Sequence, residues 1–333
     1  MQFKKIVKII LLILLGLFFI AFFYLFIGKE PPQAKEITFG VTFSQKHATD
    51  FGLNWKEVYS AILDDLRVKN LRLIAYWDLI EPKEENFNFE DLDWQIQEAE
   101  KRGADITLVM GIRVPRWPEC HIPVWAKNLN KSQQQEKVLN LFEKIVLRYK
   151  NSSNIQYWQV ENEPFFPFGT CPWSDIKFLK KEIEYVRSLD QQKRPIIETE
   201  SGEWSPWVLA GKYGDIVGTT MYKKVFFDQL RIYINYPLPP LFYWRKAQIV
   251  KKLFGNEVIC IELQAEPWGP SLLYDLPLEE QKKTMSLEQF RFNIEFAKKT
   301  GLKEFSLWGA EWWYWMKEIQ GQPEIWQEAK KLF

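Results

Sequence analysis

Two glutamates follow short apolar runs in this 333-residue chain. Glu163 lies in the segment YWQVENEPF and Glu262 in the segment VICIELQAEPW, so each stands where a buried strand is expected to end. Two carboxyl groups in different environments can divide the roles of acid and nucleophile, because one stays protonated while the other is ionised. Cleavage of a glycosidic bond with retention of configuration uses such a pair. The pattern therefore predicts this chemistry if the fold brings the two runs together.

The elements that must position these carboxyls alternate along the body of the chain. Eight apolar runs indicate strands at 37–43, 71–76, 105–111, 155–160, 195–199, 216–221, 257–261 and 304–308. Helical patterns follow them at 55–69, 90–102, 132–150, 174–190, 206–213, 241–254, 286–300 and 323–332. Eight such units predict an α/β protein with a single (β/α)8 barrel over residues 37–333, whose functional groups lie at the strand ends. A doubly wound sheet is the alternative, although no glycine-rich turn follows the first run.

The segment WQVENEP, the glutamate ending the seventh run and the tryptophan ending the eighth resemble the clan A glycoside hydrolases. This clan of barrels includes the family 5 cellulases and mannanases and the barrel β-galactosidases. The resemblance covers most of residues 36–333 and implies that Glu163 is the acid/base and Glu262 the nucleophile. It also implies that Asn162 hydrogen-bonds the sugar 2-hydroxyl, and that no metal or organic cofactor is needed.

Three further residues match the substrate site of that clan. Arg72, on the second run, matches the arginine that orients the nucleophile. Tyr222, in GTTMYK after the sixth run, matches a group that contacts the nucleophile, and Trp308, in SLWGAEWW, matches the tryptophan that stacks on the sugar. The segment YWDLIEPKEENFNFEDLDW resembles the second βα unit of the clan.

Other carboxylates compete with these assignments. Four further carboxylates follow predicted strands: Glu161, Glu200, Glu203 and Glu311. Each of them either binds sugar hydroxyls or is an ordinary loop charge, and the loop charge is the favoured interpretation. Glu266 is the rival of Glu262 for the role of nucleophile. The reason is that ELQAEP departs from the commoner Glu-Phe-Gly or Glu-Tyr-Gly ending of the seventh strand.

Tryptophan is unusually frequent, with 16 residues beside 13 Tyr and 25 Phe. Such a surplus indicates flat platforms at a binding site, on which the apolar faces of pyranose rings can stack. Eleven lie in or beside the βα segments of the expected catalytic face: Trp77, Trp117, Trp125, Trp173, Trp204, Trp207, Trp268, Trp308, Trp312, Trp313 and Trp315. We expect Trp77, Trp268 and Trp308 to contact the sugar, and several of the others only to close the top of the barrel.

The loop after the third run, GIRVPRWPECHIPVW, is rich in proline, tryptophan and charge. Four of its residues are candidates for the wall of a subsite: Arg113, Arg116, Glu119 and His121. For His121, a structural, hydrogen-bonded role is favoured over a catalytic one. Cys120 lies in this loop and Cys171 in the next, so a disulfide between them is expected if the domain lies outside the cytoplasm.

The N-terminal residues predict a membrane anchor. Residues 1–8 form a short basic segment, residues 9–28 an uncharged apolar run and residues 29–36 a polar stem with two prolines. The run is close to the ~20 residues that cross a bilayer as a helix, and it is longer than the apolar core of a cleaved signal peptide. Lysines on its N-terminal side favour a cytoplasmic N-terminus, with the catalytic domain outside the cytoplasm.

The composition excludes several other classes of function. Lys and Arg number 44 against 43 Asp and Glu, so no net basic charge favours nucleic acid. Two histidines cannot form a histidine-rich metal site, and no G-x-S-x-G, P-loop, G-x-G-x-x-G or HExxH motif is present.

The sequence therefore predicts a membrane-anchored retaining β-glycosidase that acts on an oligo- or polysaccharide outside the cytoplasm. Its expected partners are this glycan and the bilayer around residues 9–28, with no obligate protein partner evident. Two alternatives use the same residues differently. A transglycosylase would pass the sugar to an acceptor other than water, and a carbohydrate-binding barrel would have lost catalysis.

Overall fold

The computed structural model describes residues 2–333, and the side chains of residues 5–17 and 19–333. Met1 and the side chain of Lys4, which belong to the expected basic segment 1–8, lie outside the described residues. The strands are β1 (Thr38–Thr42), β2 (Asn70–Ala75), β3 (Asp105–Met110), β4 (Ile155–Val160), β5 (Ile196–Glu200), β6 (Ile216–Met221), β7 (Lys224–Phe227), β8 (Ile232–Asn235), β9 (Glu257–Gln264) and β10 (Glu304–Trp308).

The helices surround these strands. They are α1 (Gln2–Phe26), α2 (Gln45–Asp50), α3 (Trp55–Asp64), α4 (Trp77–Ile80), α5 (Glu90–Lys101), α6 (Lys131–Tyr149), α7 (Ile176–Leu189), α8 (Val208–Tyr213), α9 (Pro240–Phe254), α10 (Leu278–Gln281), α11 (Leu287–Lys298), α12 (Ala310–Glu318) and α13 (Glu324–Ala329). Short 3-10 helices occupy Val124–Ala126, Leu273–Asp275 and Lys330–Leu332.

Eight of the strands form a closed parallel barrel in the order β1-β2-β3-β4-β5-β6-β9-β10, with β10 pairing back to β1. The predicted α/β class and single (β/α)8 barrel are therefore confirmed. The barrel helices cover the strands with the apolar spacing that the sequence shows. In α6, Val138, Leu141, Phe142 and Ile145 recur at the spacing of one helical face and are all buried.

The structure differs from the sequence expectation at several element ends. β9 continues to Gln264, three residues beyond the expected run, so Glu262 lies inside the strand rather than just after it. α3 ends at Asp64 rather than at residue 69, because Arg67 takes a left-handed conformation with φ 63° that a helix cannot continue through.

Several elements near the top of the barrel were not predicted, among them two strands and a helix that bear on the site. β7 and β8 form an antiparallel hairpin after β6, and α12 follows β10 directly. Gly309 precedes α12 with φ 135°, and a Cβ atom there would lie 2.5 Å from Cβ of Glu266. This close approach packs the loop after β9 against the start of α12.

α1 is one continuous helix that precedes the barrel. Within Lys5–Phe26 the most apolar 18-residue window has a mean hydropathy of 3.0, and none of that window is buried. Its last turn packs on α9, where the rings of Phe26 and Phe242 lie 5.4 Å apart and the Arg245 guanidinium lies 4.4 Å from the centre of the Tyr24 ring. Length and composition suit a membrane span, and a signal sequence shares both features.

Candidate active site

A cavity of about 350 Å³ opens at the C-terminal ends of the barrel strands. Its polar lining comes from the loops after β3, β4 and β5 and from β6 and β9: Glu119, Asn162, Glu163, Ser201, Glu203, Thr220, Tyr222 and Glu262. Aromatic side chains of the β7–β8 hairpin and of the loops after β4, β5, β9 and β10 complete the wall. Both sequence-predicted carboxylates therefore face one cavity, where the barrel fold concentrates functional groups.

Glu262 is held on both of its carboxylate oxygens. Arg72 reaches across the barrel from β2 and its Nη1 donates to Oε1 at 3.0 Å. The hydroxyl of Tyr222 donates to Oε2 at 3.1 Å. Glu262 and Arg72 are both almost fully buried. A buried carboxylate with a guanidinium and a phenol on it is stabilised as an anion and is fixed in one orientation.

Arg72 links this carboxylate to the end of β4. Its Nη2 donates to Oδ1 of Asn162 at 2.7 Å and its Nε donates to Oε1 of Gln159 at 2.8 Å. Since Oδ1 of Asn162 is used by Arg72, the amide nitrogen of Asn162 is the group that can turn toward the cavity. One buried arginine therefore positions both Glu262 and Asn162.

Glu163 occupies a different environment. Its backbone has φ 43°, in the left-handed region, and its N–H donates to Oγ1 of Thr199 at 2.7 Å. Its Oε1 is buried with no hydrogen-bond partner among the described residues. Burial, followed by the negative charges of Glu262, Glu119 and Glu203, raises the pKa of Glu163 well above its usual range. This environment favours the neutral, protonated form of Glu163.

Glu161 turns away from the cavity, as strand alternation predicts. Its carboxylate accepts the backbone N–H of Ile112 at 2.9 Å and of Arg113 at 2.6 Å. These bonds tie the end of β4 to the start of the loop after β3. Glu161 is a structural residue rather than a sugar ligand.

The rival carboxylate Glu266 faces a second cavity of about 550 Å³. It pairs with the guanidinium of Arg116, and Nε2 of His47 lies 3.3 Å from its Oε2. Burial alone would raise the pKa of Glu266, but the charges of Arg116 and His47 outweigh it and lower the pKa to about 2. Because Glu266 does not line the cavity that holds Glu163, it is a poorer candidate for the nucleophile than Glu262.

Arg116 also joins this network to the aromatic wall. Its Nη2 donates to Glu311 at 3.1 Å, and its guanidinium lies 3.9 Å from the centre of the Trp308 ring. Glu311 additionally accepts the N–H of Ser44 at 2.5 Å and is fully buried. The interpretation of Glu311 as an ordinary loop charge is therefore wrong. Its carboxylate is buried and accepts hydrogen bonds from Arg116 and from the start of the loop after β1.

Three tryptophans line the catalytic cavity within the described part of the chain, namely Trp204, Trp268 and Trp308. Trp268 stands edge-on to Tyr222 with ring centres 5.3 Å apart, and its carbonyl accepts the N–H of Phe226 at 3.1 Å. The β7–β8 hairpin thus holds Trp268 beside the residue that contacts Glu262. Of the other tryptophans expected at this face, four are fully buried: Trp77, Trp207, Trp312 and Trp313.

Two proposed substrate contacts lie outside the cavity. Trp77 is fully buried, and its Nε1 donates to Glu81 at 2.8 Å while its ring meets Trp125 edge-on. His121 is buried against Tyr76, with Nε2 3.0 Å from the carbonyl of Arg116 and Nδ1 3.0 Å from Nζ of Lys46. The expectations for Trp77 and His121 are therefore corrected. The ring nitrogens of both residues have hydrogen-bond partners within the protein.

The sequence favours an ordinary loop charge for Glu203, but the structure places this residue in the site. Its Oε1 accepts the N–H of Tyr222 at 2.8 Å and the hydroxyl of Tyr243 at 3.0 Å. Its Oε2 lies 3.2 Å from the hydroxyl of Thr220. Glu203 lines the cavity and fixes the backbone of Tyr222, whereas its sequence context, SGEWSP, reads as an ordinary loop.

Cys120 and Cys171 form a disulfide with a Cα–Cα distance of 5.2 Å, which joins the loops after β3 and β4. The third cysteine, Cys260, is buried in β9 with a free thiol. Among the described residues, no group of three or more His, Cys, Asp or Glu side chains has the arrangement of a metal site.

A buried carboxyl beneath the site predicts how stability depends on pH. Burial, then the charges of Glu161 and Glu200, raises the pKa of Glu198 well above 4.5. The folded state therefore keeps a proton that the unfolded chain releases above its own pKa, so Glu198 lowers stability as the pH rises from the unfolded pKa toward the raised pKa of the folded state. The limiting slope for one proton is about 1.4 kcal/mol per pH unit.

Glu198→Gln removes this titration while preserving the shape of the side chain. We expect the variant to be as stable as the wild type near pH 4 and more stable at pH 8, as measured by thermal unfolding across this range. Glu279→Gln, at a side chain that is 84% exposed, is the control and should follow the wild type at every pH. A stability difference for Glu198→Gln that is the same at pH 4 and pH 8 would contradict the buried neutral carboxyl.

Comparison with known proteins gives a family for part of the chain. Residues 29–182 match the model of glycosyl hydrolase family 10. The β-galactosidase LacA of Lactobacillus acidophilus is 26% identical over an alignment 171 positions long, which covers 44% of this chain and 25% of that protein. The chain thus spans about a quarter of the length of the curated relative that it matches.

Solved structures share the fold. A β-galactosidase from Rahnella sp. R3 superposes with a TM-score of 0.60 at 11% identity, covering 91% of this chain and 57% of that chain. Xylanase 10B from Thermotoga petrophila RKU-1, in complex with xylobiose, gives a TM-score of 0.55 at 14% identity, covering 91% and 99%. The resemblance to clan A is confirmed, and the family model that matches is family 10 rather than family 5.

Proposed function

We propose that this chain, whose barrel belongs to the clan A glycoside hydrolases, is a retaining β-glycosidase with Glu163 as acid/base and Glu262 as nucleophile. The observation that carries the assignment is the contrast between the two carboxyls in one cavity. Glu262 has a guanidinium and a phenol on its oxygens, whereas Glu163 has a buried oxygen without a partner and a raised pKa. One environment suits an anion and the other a neutral acid.

The first step forms a covalent intermediate. A carboxylate oxygen of Glu262 attacks the anomeric carbon, and the bond from that carbon to the leaving oxygen breaks. Glu163 gives its proton to this oxygen as the bond breaks, so the leaving group departs as a neutral alcohol. Glu262 is then esterified to the sugar and carries no charge, so Glu163 can stay ionised without repulsion from a second carboxylate.

The second step reverses these roles. Ionised Glu163 takes a proton from water, and the water oxygen attacks the anomeric carbon while the ester bond to Glu262 breaks. Glu163 is protonated again and Glu262 leaves as the carboxylate that Arg72 and Tyr222 stabilise. Two inversions at one carbon give net retention of the β configuration.

The experiment uses the full chain in detergent with a panel of aryl β-glycosides that covers glucosides, galactosides, mannosides and xylosides. Proton NMR recorded early in the reaction, before mutarotation, reports the anomeric configuration of the released sugar. The proposal expects the β anomer from at least one substrate, and an α anomer would contradict it. A transglycosylase would give larger glycosides instead of free sugar, and a carbohydrate-binding barrel would bind glycans without any release.

We also propose that α1 anchors the enzyme in a membrane, with the barrel outside the cytoplasm. Three features support this. The apolar helix Lys5–Phe26 has 22 residues, lysines lie on its N-terminal side, and the Cys120–Cys171 disulfide is typical of oxidising compartments. The substrate glycan would therefore lie outside the cytoplasm.

Membrane extraction tests the anchor. The full chain, expressed in a bacterial host, is expected to stay in the membrane pellet after carbonate washing, and protease added to spheroplasts should degrade the barrel. The matched control lacks residues 2–28 and should be soluble. Intact mass measurement separates anchor from signal sequence, because a mature protein that lacks the α1 residues would contradict the anchor.

A further inference from the structure

The loop between β3 and the first 3-10 helix turns back on itself and presents Glu119 at the end of the turn. The N–H of Val114 donates to the carbonyl of Glu119 at 2.9 Å, and the N–H of Glu119 donates to the carbonyl of Arg116 at 2.7 Å. Glu119 itself has φ 71°. A non-glycine residue in the left-handed region persists only where its surroundings hold it there.

The loop after β4 supplies that support. The disulfide joins Cys120 to Cys171, and the N–H of Thr170 donates to the carbonyl of Pro118 at 3.0 Å. At Gly169, with φ 81°, a Cβ atom would lie 2.6 Å from Cβ of Glu119, so a glycine is needed for the two loops to approach this closely. Contacts on both sides therefore fix the backbone of Glu119.

The side chain held in this way enters the catalytic cavity. Glu119 lines both the catalytic cavity and the second cavity, and only 7% of the residue is exposed. The side chain of Asn162 interacts with its carboxyl, and Glu262 is close enough to raise its pKa. Glu119 therefore lies beside the residue that is expected to bind the 2-hydroxyl of the sugar.

Apart from Asn162, no side chain forms a hydrogen bond or an ion pair with this carboxyl in the described part of the chain. The nearby guanidinium of Arg113 has buried Nε and Nη2 atoms without partners, yet Glu119 forms no ion pair with it. Beyond its contact with Asn162, the carboxyl of Glu119 faces the two cavities. Because buried polar groups are nearly always hydrogen-bonded, its remaining hydrogen-bonding capacity indicates a ligand. The charged side chains that line the catalytic cavity are all carboxyl groups, which favours uncharged sugar hydroxyls as that ligand.

We propose that Glu119 is a substrate-binding residue, held by the Cys120–Cys171 disulfide beside Asn162, that hydrogen-bonds hydroxyl groups of the sugar at the junction of the two cavities. This inference rests on the proposed glycosidase function. Burial raises the pKa of Glu119 to about 8, with the charge of Arg113 opposing and that of Glu262 adding to the shift. At neutral pH the group is a carboxylic acid that both donates and accepts a hydrogen bond, and above pH 8 it loses the donor.

The test compares Glu119→Gln and Glu119→Ala with the wild type on the best neutral aryl glycoside of the panel. The amide of Glu119→Gln keeps one donor and one acceptor, so its KM near pH 6 should stay within about threefold of the wild type. Loss of the hydrogen bonds in Glu119→Ala should lower kcat/KM by roughly 10- to 100-fold. Glu198→Gln, at a buried carboxyl outside the cavity, is the matched control and should leave kcat/KM unchanged.

The dependence of KM on pH separates substrate binding from a merely structural role. The KM of the wild type should rise above pH 8 as Glu119 ionises, whereas the KM of Glu119→Gln should stay flat. The inference is overturned if the two curves rise together, or if Glu119→Ala keeps wild-type kcat/KM while the wild type is active. A wild type that cleaves no glycoside of the panel overturns the inference together with the proposed function.

Discussion

Glu262→Gly is expected to lower kcat by more than about 10⁴-fold, because it removes the group that forms the covalent bond to the sugar. Arg72 and Tyr222 remain in place around an empty space, since their other contacts are to Gln159, Asn162 and Trp268. Azide is a small anion that fits this space and attacks the anomeric carbon from the same side. Added azide should therefore restore turnover and give the α-glycosyl azide, detectable by NMR.

The matched control is Glu266→Gly, four residues along the chain. Glu266 is already engaged by Arg116 and His47, so its loss should lower thermal stability and weaken binding in the second cavity. Azide should not increase the activity of this variant. If azide instead rescues Glu266→Gly and not Glu262→Gly, the assignment of the nucleophile is wrong.

Glu163→Ala is expected to affect substrates according to their leaving groups. Without the acid, hydrolysis of glycosides with poor leaving groups, such as disaccharides, should fall by about 10²- to 10⁴-fold. A dinitrophenyl glycoside departs without protonation, so its first step should be almost unaffected and the covalent intermediate should accumulate. Azide should accelerate breakdown of that intermediate and give the β-glycosyl azide, the opposite anomer to that from Glu262→Gly.

The pH profile provides a second readout for the same variant. Because burial and the neighbouring carboxylates raise the pKa of Glu163, the wild type keeps the acid form through neutral pH and loses activity as the pH rises beyond that pKa. The alkaline limb should disappear in Glu163→Ala with the dinitrophenyl substrate. An unchanged alkaline limb would show that another group is the acid.

Much of the fold was predictable because parallel strands buried on both faces read as continuous apolar runs. The runs at 155–160, 216–221 and 304–308 coincide with β4, β6 and β10. The β7–β8 hairpin escaped prediction because its four-residue strands cover the cavity rather than extend the barrel. The helix α12 was missed because its tryptophans suggested a binding loop.

Only the cavity residues that lie on the strands or directly after them could be predicted from the sequence. Glu262, Arg72 and Asn162 lie in or directly after strands, so the barrel determines where they meet. Glu119 depends on the partner loop that carries Gly169 and Cys171, a contact that no local pattern reveals.

Whether a side chain is buried also depends on its neighbours in the fold, which sequence patterns do not identify. Trp77 belongs to the core because Glu81, one helical turn later, accepts the hydrogen bond of its indole nitrogen. Glu311 is buried because Arg116 reaches it from another loop.

Covalent trapping tests the central claim most directly. A 2-deoxy-2-fluoro-β-glycoside with a dinitrophenyl leaving group, in the sugar series that the panel identifies, forms the glycosyl-enzyme quickly and loses it slowly. The tryptic peptide 253–282 contains both Glu262 and Glu266, so fragmentation by mass spectrometry must locate the label within it. The account predicts one sugar on Glu262, and a label on Glu266, on Glu203 or on no residue while the enzyme turns over the parent glycoside would contradict it.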